Sequence, residues 1–233
     1  MKKVSILLAL ALCIGPSAML AQFEGTIDMK MVSQRDDKQA EMLYTMYVKK
    51  DMLAADVKGQ DESMGGGRFI FRGDKKVFWI INDQEKNYLE MSFKEDQRDT
   101  GKGEMKKHKK EKINIHPTGK TQTILGYACE EWEMKEGDEV KSVWGTKKLG
   151  NVYEGIAKSF DQLGKRGSKE DEDEWVQLAH MDIFPLKIVS AENGKVQETQ
   201  EVTKIESKAL PASMFEPPSG YKKHSFRDRK SVV

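Results

Sequence analysis

The chain has 233 residues, 33% of them charged and 38% hydrophobic, with 39 Lys and Arg against 38 Asp and Glu. So even a balance excludes recognition of nucleic acid or an acidic substrate by a global field. With only two cysteines it is no disulfide framework, and packing with backbone hydrogen bonds must supply the stability.

Residues 1–21 have the layout of a secretory signal peptide: Lys2 and Lys3, an apolar run from Val4 to Ile14, a break at Gly15-Pro16, then small or apolar residues to Ala21. As a helix, Val4 to Ile14 covers about 16 Å of a hydrocarbon core ~30 Å thick, which argues against a retained anchor. Leu12 stands where a lipobox before Cys13 needs Gly, Ala or Ser, which argues against a lipoprotein. The expected product is an exported chain starting near Gln22, in the periplasm or outside the cell, the outer membrane included. It forms one domain over residues 22–233. Lys2 and Lys3 leave with the leader, so 37 basic side chains face 38 acidic ones, and Cys129 has no intrachain partner.

Beyond the leader the apolar period is two, the signal of half-buried strands. Phe23, Gly25, Ile27, Met29 and Met31 share one face, and Ala40, Met42, Tyr44, Met46 and Val48 repeat the pattern. Lys49-Lys50-Asp51 turns the chain into Met52 to Lys58, and Arg72-Gly73-Asp74-Lys75 joins Arg68 to Phe71 with Val77 to Asn82. Further strands are expected at Tyr88 to Phe93, Lys120 to Ile124, Ala128 to Met134, Val140 to Thr146, Leu186 to Ala191 and Val196 to Ser207. The last two flank Asn193-Gly194, a strong hairpin signal. One segment departs from this rule. Leu149, Val152, Tyr153, Ile156, Phe160 and Leu163 recur at three- and four-residue intervals, with a capping-box spacing at Asn151 and Glu154 and a glycine stop at Gly164. The spacing predicts an amphipathic helix over Asn151 to Leu163, packed on the open face of a sheet, and a second short helix around Glu174 to Ala179.

Tests for chemistry return little. Gly119-Lys120-Thr121 ends like a phosphate loop but lacks the leading glycine, which is Asn114 here. Gly65-Gly66-Gly67 opens no helix, His108, His116, His180 and His224 lack zinc-site spacing, and no GxSxG is present. Nothing near Cys129 lowers its pKa, so a buried structural thiol beside Trp132 is the plainer reading. The run Glu170 to Glu174 lacks calcium-loop spacing. No enzyme activity, metal or cofactor is expected. The basic run Lys102 to Lys112 reads either as a solvated loop or as a contact for anionic headgroups or an acidic envelope protein.

Methionine is over-used, with 13 in all and Met29, Met31, Met42 and Met46 on the first two strands. That face could line a hydrophobic cavity or form an ordinary core. A Cu(I) site of thioethers is a third reading, for which the sequence fixes no three ligands around one point.

The run Thr118 to Met134 (TGKTQTILGYACEEWEM), Phe184-Pro185-Leu186-Lys187-Ile188, Glu201 to Ser207 (EVTKIES) and Leu210 to Lys223 (LPASMFEPPSGYKK) together resemble a secreted bacterial family known as a domain of unknown function. That family is similar to the lipoprotein-carrier superfamily of the LolA and LolB type. The resemblance implies a mainly β (α+β) fold: a strongly curved antiparallel sheet as an open half-barrel, with the main amphipathic helix on its concave face. It implies that Met29, Met31, Met42, Met46, Trp132, Trp144 and Phe160 converge on a cavity for a lipid, acyl chain or other apolar ligand. The alternative is a structural or interaction module of the envelope, with a solid core and no ligand. Gly164 to Glu174 fits no part of the family pattern.

Overall fold

In a computed structural model, residues 23–35, 38–59, 66–92, 114–150, 152, 181 and 183–225 are described. They form a 12-stranded sheet: β1 Glu24–Arg35, β2 Lys38–Lys49, β3 Met52–Gly59, β4 Gly66–Arg72, β5 Val77–Asn82, β6 Asn87–Ser92, β7 Asn114–Ile124, β8 Tyr127–Glu136, β9 Glu139–Thr146, β10 Phe184–Glu192, β11 Lys195–Ser207 and β12 Lys222–Ser225. Its order is β12-β6-β5-β4-β3-β2-β1-β11-β10-β9-β8-β7. Every pair is antiparallel except β12 with β6. Local chemistry explains the hairpins. Asn193 and Gly194 both have positive φ, as do Leu125 and Gly126 between β7 and β8, the backbone a two-residue turn with the right twist requires. Gly25 is obligatory for a different reason: a Cβ there would run into the Glu206 carbonyl oxygen of the paired β11 strand.

This corrects the α+β half-barrel closed by a helix. Among the described residues the fold is nearly all β in one open sheet, without an α-helix. The expected helices at Asn151 to Leu163 and Glu174 to Ala179 lie outside the described residues, apart from Val152. At the start of the apolar pattern, Leu149 is buried by a turn: the Gly150 N–H donates to the Lys147 carbonyl at 3.1 Å, with Gly150 at φ +70°. Helical spacing there is therefore partly the spacing of a turn that drops Leu149 and Val152 onto the sheet's main core.

That core contains Phe23, Ile27, Met29, Met46, Val48, Cys129, Leu149, Phe184, Leu186 and Val202. A second cluster gathers Ala54, Ile70, Val77, Trp79 and Ile81 under Leu210 and Phe215, and a third joins Met134, Val143, Ile183 and Ile188. The element covering the second cluster is a 3-10 turn, Ala212–Phe215, within the connection from β11 to β12.

Candidate functional site

Strand register places rows of side chains across β1 to β6. One row runs Ile27, Met46, Ala55, Phe69, Ile80, Leu89; the next runs Gly25, Val48, Leu53, Phe71, Phe78, Met91. Directly opposed residues of neighbouring strands point to the same side, so both rows belong to one face. Their burial fades along the sheet. Ile27, Met46 and Val48 are buried in the main core and Phe71 is buried on β4, whereas Phe69, Phe78, Ile80, Leu89 and Met91 are half-buried and belong to none of the three clusters. Phe69 and Phe78 stack with ring centroids 6.1 Å apart. No charged side chain interrupts the two rows.

The opposite face of the same strands is closed. Arg68 and Arg72, four residues apart on β4, reach over the C-terminal turn: Arg68 donates to the Met214 carbonyl at 2.8 Å and Arg72 to the Phe215 carbonyl at 3.2 Å. Arg72 also forms a two-pronged pair with Asp74 (2.8 and 2.7 Å) and a contact with the Glu216 carboxylate, to which Lys75 donates at 2.6 Å. Burial works against the Glu216 charge, but these cations hold its carboxyl below the usual range; the Arg72 fork does the same for Asp74. Leu210 is tied at both ends of its peptide, its N–H to Glu24 (2.7 Å) and its carbonyl from Lys49 (2.6 Å). Phe215, fully buried, then seals the cluster around Trp79, whose indole N–H donates to Glu90 at 3.0 Å. The LPASMFE motif is thus a latch.

A second polar device lies on β7 to β9. The buried Glu131 carboxylate accepts from Ser142 (2.6 Å), Thr118 (2.7 Å) and Lys120 (2.9 Å). Desolvation raises its pKa, and these three donors outweigh that and hold it lowered. Cys129 is buried, and desolvation pushes its thiol up, away from reactivity. No group of three or more His, Cys, Asp or Glu able to hold a metal ion occurs among the described residues.

The sequence-predicted residues do not all meet. Met29 and Met46 are buried in the main core, and Trp144 packs against it. Met31 and Met42 face each other across β1 and β2, half-buried. Trp132 packs against the third cluster instead, opposite Val143, one position from the pair that opposes Trp144 to Glu131. Adjacent positions on a strand point to opposite faces, so Trp132 and Trp144 part company. Phe160 and the run Lys102 to Lys112 lie outside the described residues. The half-buried residues Phe69, Phe78, Ile80, Leu89 and Met91 went unnamed at the sequence level. For Phe78 and Ile80 the signal is Val77 to Ile81, an unbroken apolar run that marks a strand with two faces to cover.

No curated protein matches the chain. Solved structures similar to it include PNGF-II (13% identity, 90% of this chain and 33% of that one, TM-score 0.41). Others are the MucA/MucB complex of Pseudomonas aeruginosa (12%, 84% and 57%, TM-score 0.38) and a putative outer membrane lipoprotein-sorting protein domain from Vibrio parahaemolyticus (9%, 83% and 89%, TM-score 0.34). The chain spans only a third of the length of PNGF-II. The family model for a domain of unknown function, DUF4412, matches residues 23–221, and the chain belongs to that family.

Proposed function

We propose that this is an exported, non-catalytic envelope protein that holds a lipid, acyl chain or other apolar ligand against the half-buried end of its sheet. The observation that carries the reading is the fading burial along the two rows: the apolar face continues unbroken from β1 to β6, yet Phe69, Phe78, Ile80, Leu89 and Met91 are only half-buried. Apolar surface left partly wet is stabilised by an apolar occupant, at about 25 cal/mol per Å² removed from water. Since no charge lies in the rows, the ligand's headgroup belongs at the strand ends and its chain along them. The leader and the motif resemblance to lipoprotein carriers support the compartment and the ligand class.

The test is saturable binding of a fluorescent fatty acid to the purified protein, with native mass spectrometry of the apolar extract. Leu89→Gln is expected to weaken probe binding far more than it lowers the unfolding midpoint. If the wild type binds no probe above background and yields no apolar extract, the ligand reading fails and the solid-core interaction module replaces it.

A further inference from the structure

The methionines of β1 and β2 carry a separate inference. Met31 and Met42 are direct cross-strand partners, and Met29 lies two residues before Met31 on the same face, opposite Tyr44. The Tyr44 hydroxyl sits 3.5 Å from the Met42 sulfur and 3.9 Å from the Met31 sulfur, so both thioethers turn toward one point. The Met29 sulfur is met from the neighbouring strand by the Gln200 amide at 3.6 Å, and Gln200 itself opposes Met31. The geometry points to a thioether site for Cu(I), built from Met31 and Met42 with Met29 as the third sulfur.

Ligand chemistry selects the ion. Neutral, polarizable thioethers bind soft Cu(I) and have little affinity for hard or borderline divalent ions, which want carboxylate or imidazole. Each methionine stem has three rotatable bonds, so the sulfurs can close on an ion without moving the strands. Met31 and Met42 are half-buried, which leaves a way in, while Met29, next to Met31 on the same face, is buried. Three thioethers bring no charge, and the balance comes from Glu198. It opposes Ser33, one alternation beyond the Gln200–Met31 pair, on the same side of the sheet.

The test is competition with a chromophoric Cu(I) chelator under ascorbate, using protein recovered from the envelope fraction so that Cys13 is gone with the leader. Wild-type protein should withdraw one equivalent of Cu(I), take Ag(I) in its place and leave Zn(II) with its chelator. The shape-conserving double variant Met31→Leu/Met42→Leu should lose this while keeping the wild-type circular dichroism and unfolding midpoint. Met91→Leu, a half-buried methionine elsewhere on the same face, should keep it. Competition that survives in the double variant, vanishes in Cys129→Ala, or is absent from the wild type overturns the assignment.

Discussion

The two faces of β3 to β6 are built from interleaved residues of the same strands and end in different states. On one, Ala54, Ile70, Trp79 and Ile81 are covered by Leu210 and Phe215; on the other, Phe69, Phe78, Ile80 and Leu89 remain half-buried. Their apolar character is equal, so hydrophobicity does not decide which closes. What differs is the means of bringing polar backbone down onto them. The latched face has Arg68 and Arg72 to receive the Met214 and Phe215 carbonyls, and Glu24 and Lys49 to receive Leu210. A covering segment carries peptide groups that must find partners when buried. The two apolar rows of the other face offer none, and an apolar ligand needs none.

The largest effect should separate the faces directly. Phe215→Ala removes a fully buried ring from the latch and should cost roughly 3–5 kcal/mol, with cavity formation adding to lost transfer energy. Ile80→Ala, on the half-buried face, should cost only about 1 kcal/mol in apolar protein. Urea unfolding of both variants provides the measurement. Equal losses would mean that both faces are closed alike and would remove the basis for a ligand there.

Next in size is the latch's electrostatic clasp. Arg72→Met keeps the stem but abandons Asp74, Glu216 and the Phe215 carbonyl, for an expected loss of about 2 kcal/mol. The loss falls short of the roughly 3–5 kcal/mol of a fully buried pair because Asp74 and Glu216 are 45% and 40% exposed and keep much of their hydration. Lys75→Met, at an exposed pair with the same Glu216, should change stability by less than about 1 kcal/mol. If thermal melts show Lys75 to matter as much as Arg72, the clasp is surface charge and not part of the core.

Strands β1 to β6 and β8 to β11 were legible because alternation in a half-buried sheet is written residue by residue. The edges were not. β12, Lys222–Ser225, has no apolar alternation: it joins β6 through its backbone and the Lys223–Glu90 ion pair (2.6 Å), and Lys222, Lys223 and His224 are exposed. The first part of β7 is hidden for a similar reason: Pro117 and Gly119 sit in an exposed edge strand whose register shifts between Pro117 and Thr121. The latch motif could be spotted but not interpreted. Leu210 and Phe215 are five apart, matching neither period, and their polar partners lie more than 130 positions earlier, Glu24 on β1 and Lys49 on β2 for Leu210 and Arg72 on β4 for Phe215. At the candidate site, alternation grouped the four methionines, but separating buried Met29 and Met46 from half-buried Met31 and Met42 needed the neighbouring strands.

A smaller effect than that of Arg72 concerns the half of the sheet away from both faces. Glu131 on β8 is an anion with three donors, and its folded pKa lies below the ordinary 4.5. A group whose pKa is depressed by folding contributes stability that is fully present above its unfolded value. That contribution is lost as pH falls through the folded one. Asp74, Glu216 and Glu24 shift the same way, and exposed Glu206 is held at about 2 by Lys204 and Lys208. Unfolding free energy should therefore be flat near neutrality and fall with acid from about pH 4.5 downward. Glu131→Gln should cost about 1–2 kcal/mol at pH 7, because an amide offers one acceptor oxygen to three donors and turns its own N–H toward Lys120. The variant should also lose less stability than the wild type between pH 5 and about pH 3, since one acid-sensitive carboxylate is gone. A parallel pair of pH profiles, offset but equal in slope, would show that Glu131 titrates alike folded and unfolded and that the three donors hold a geometry without holding a charge.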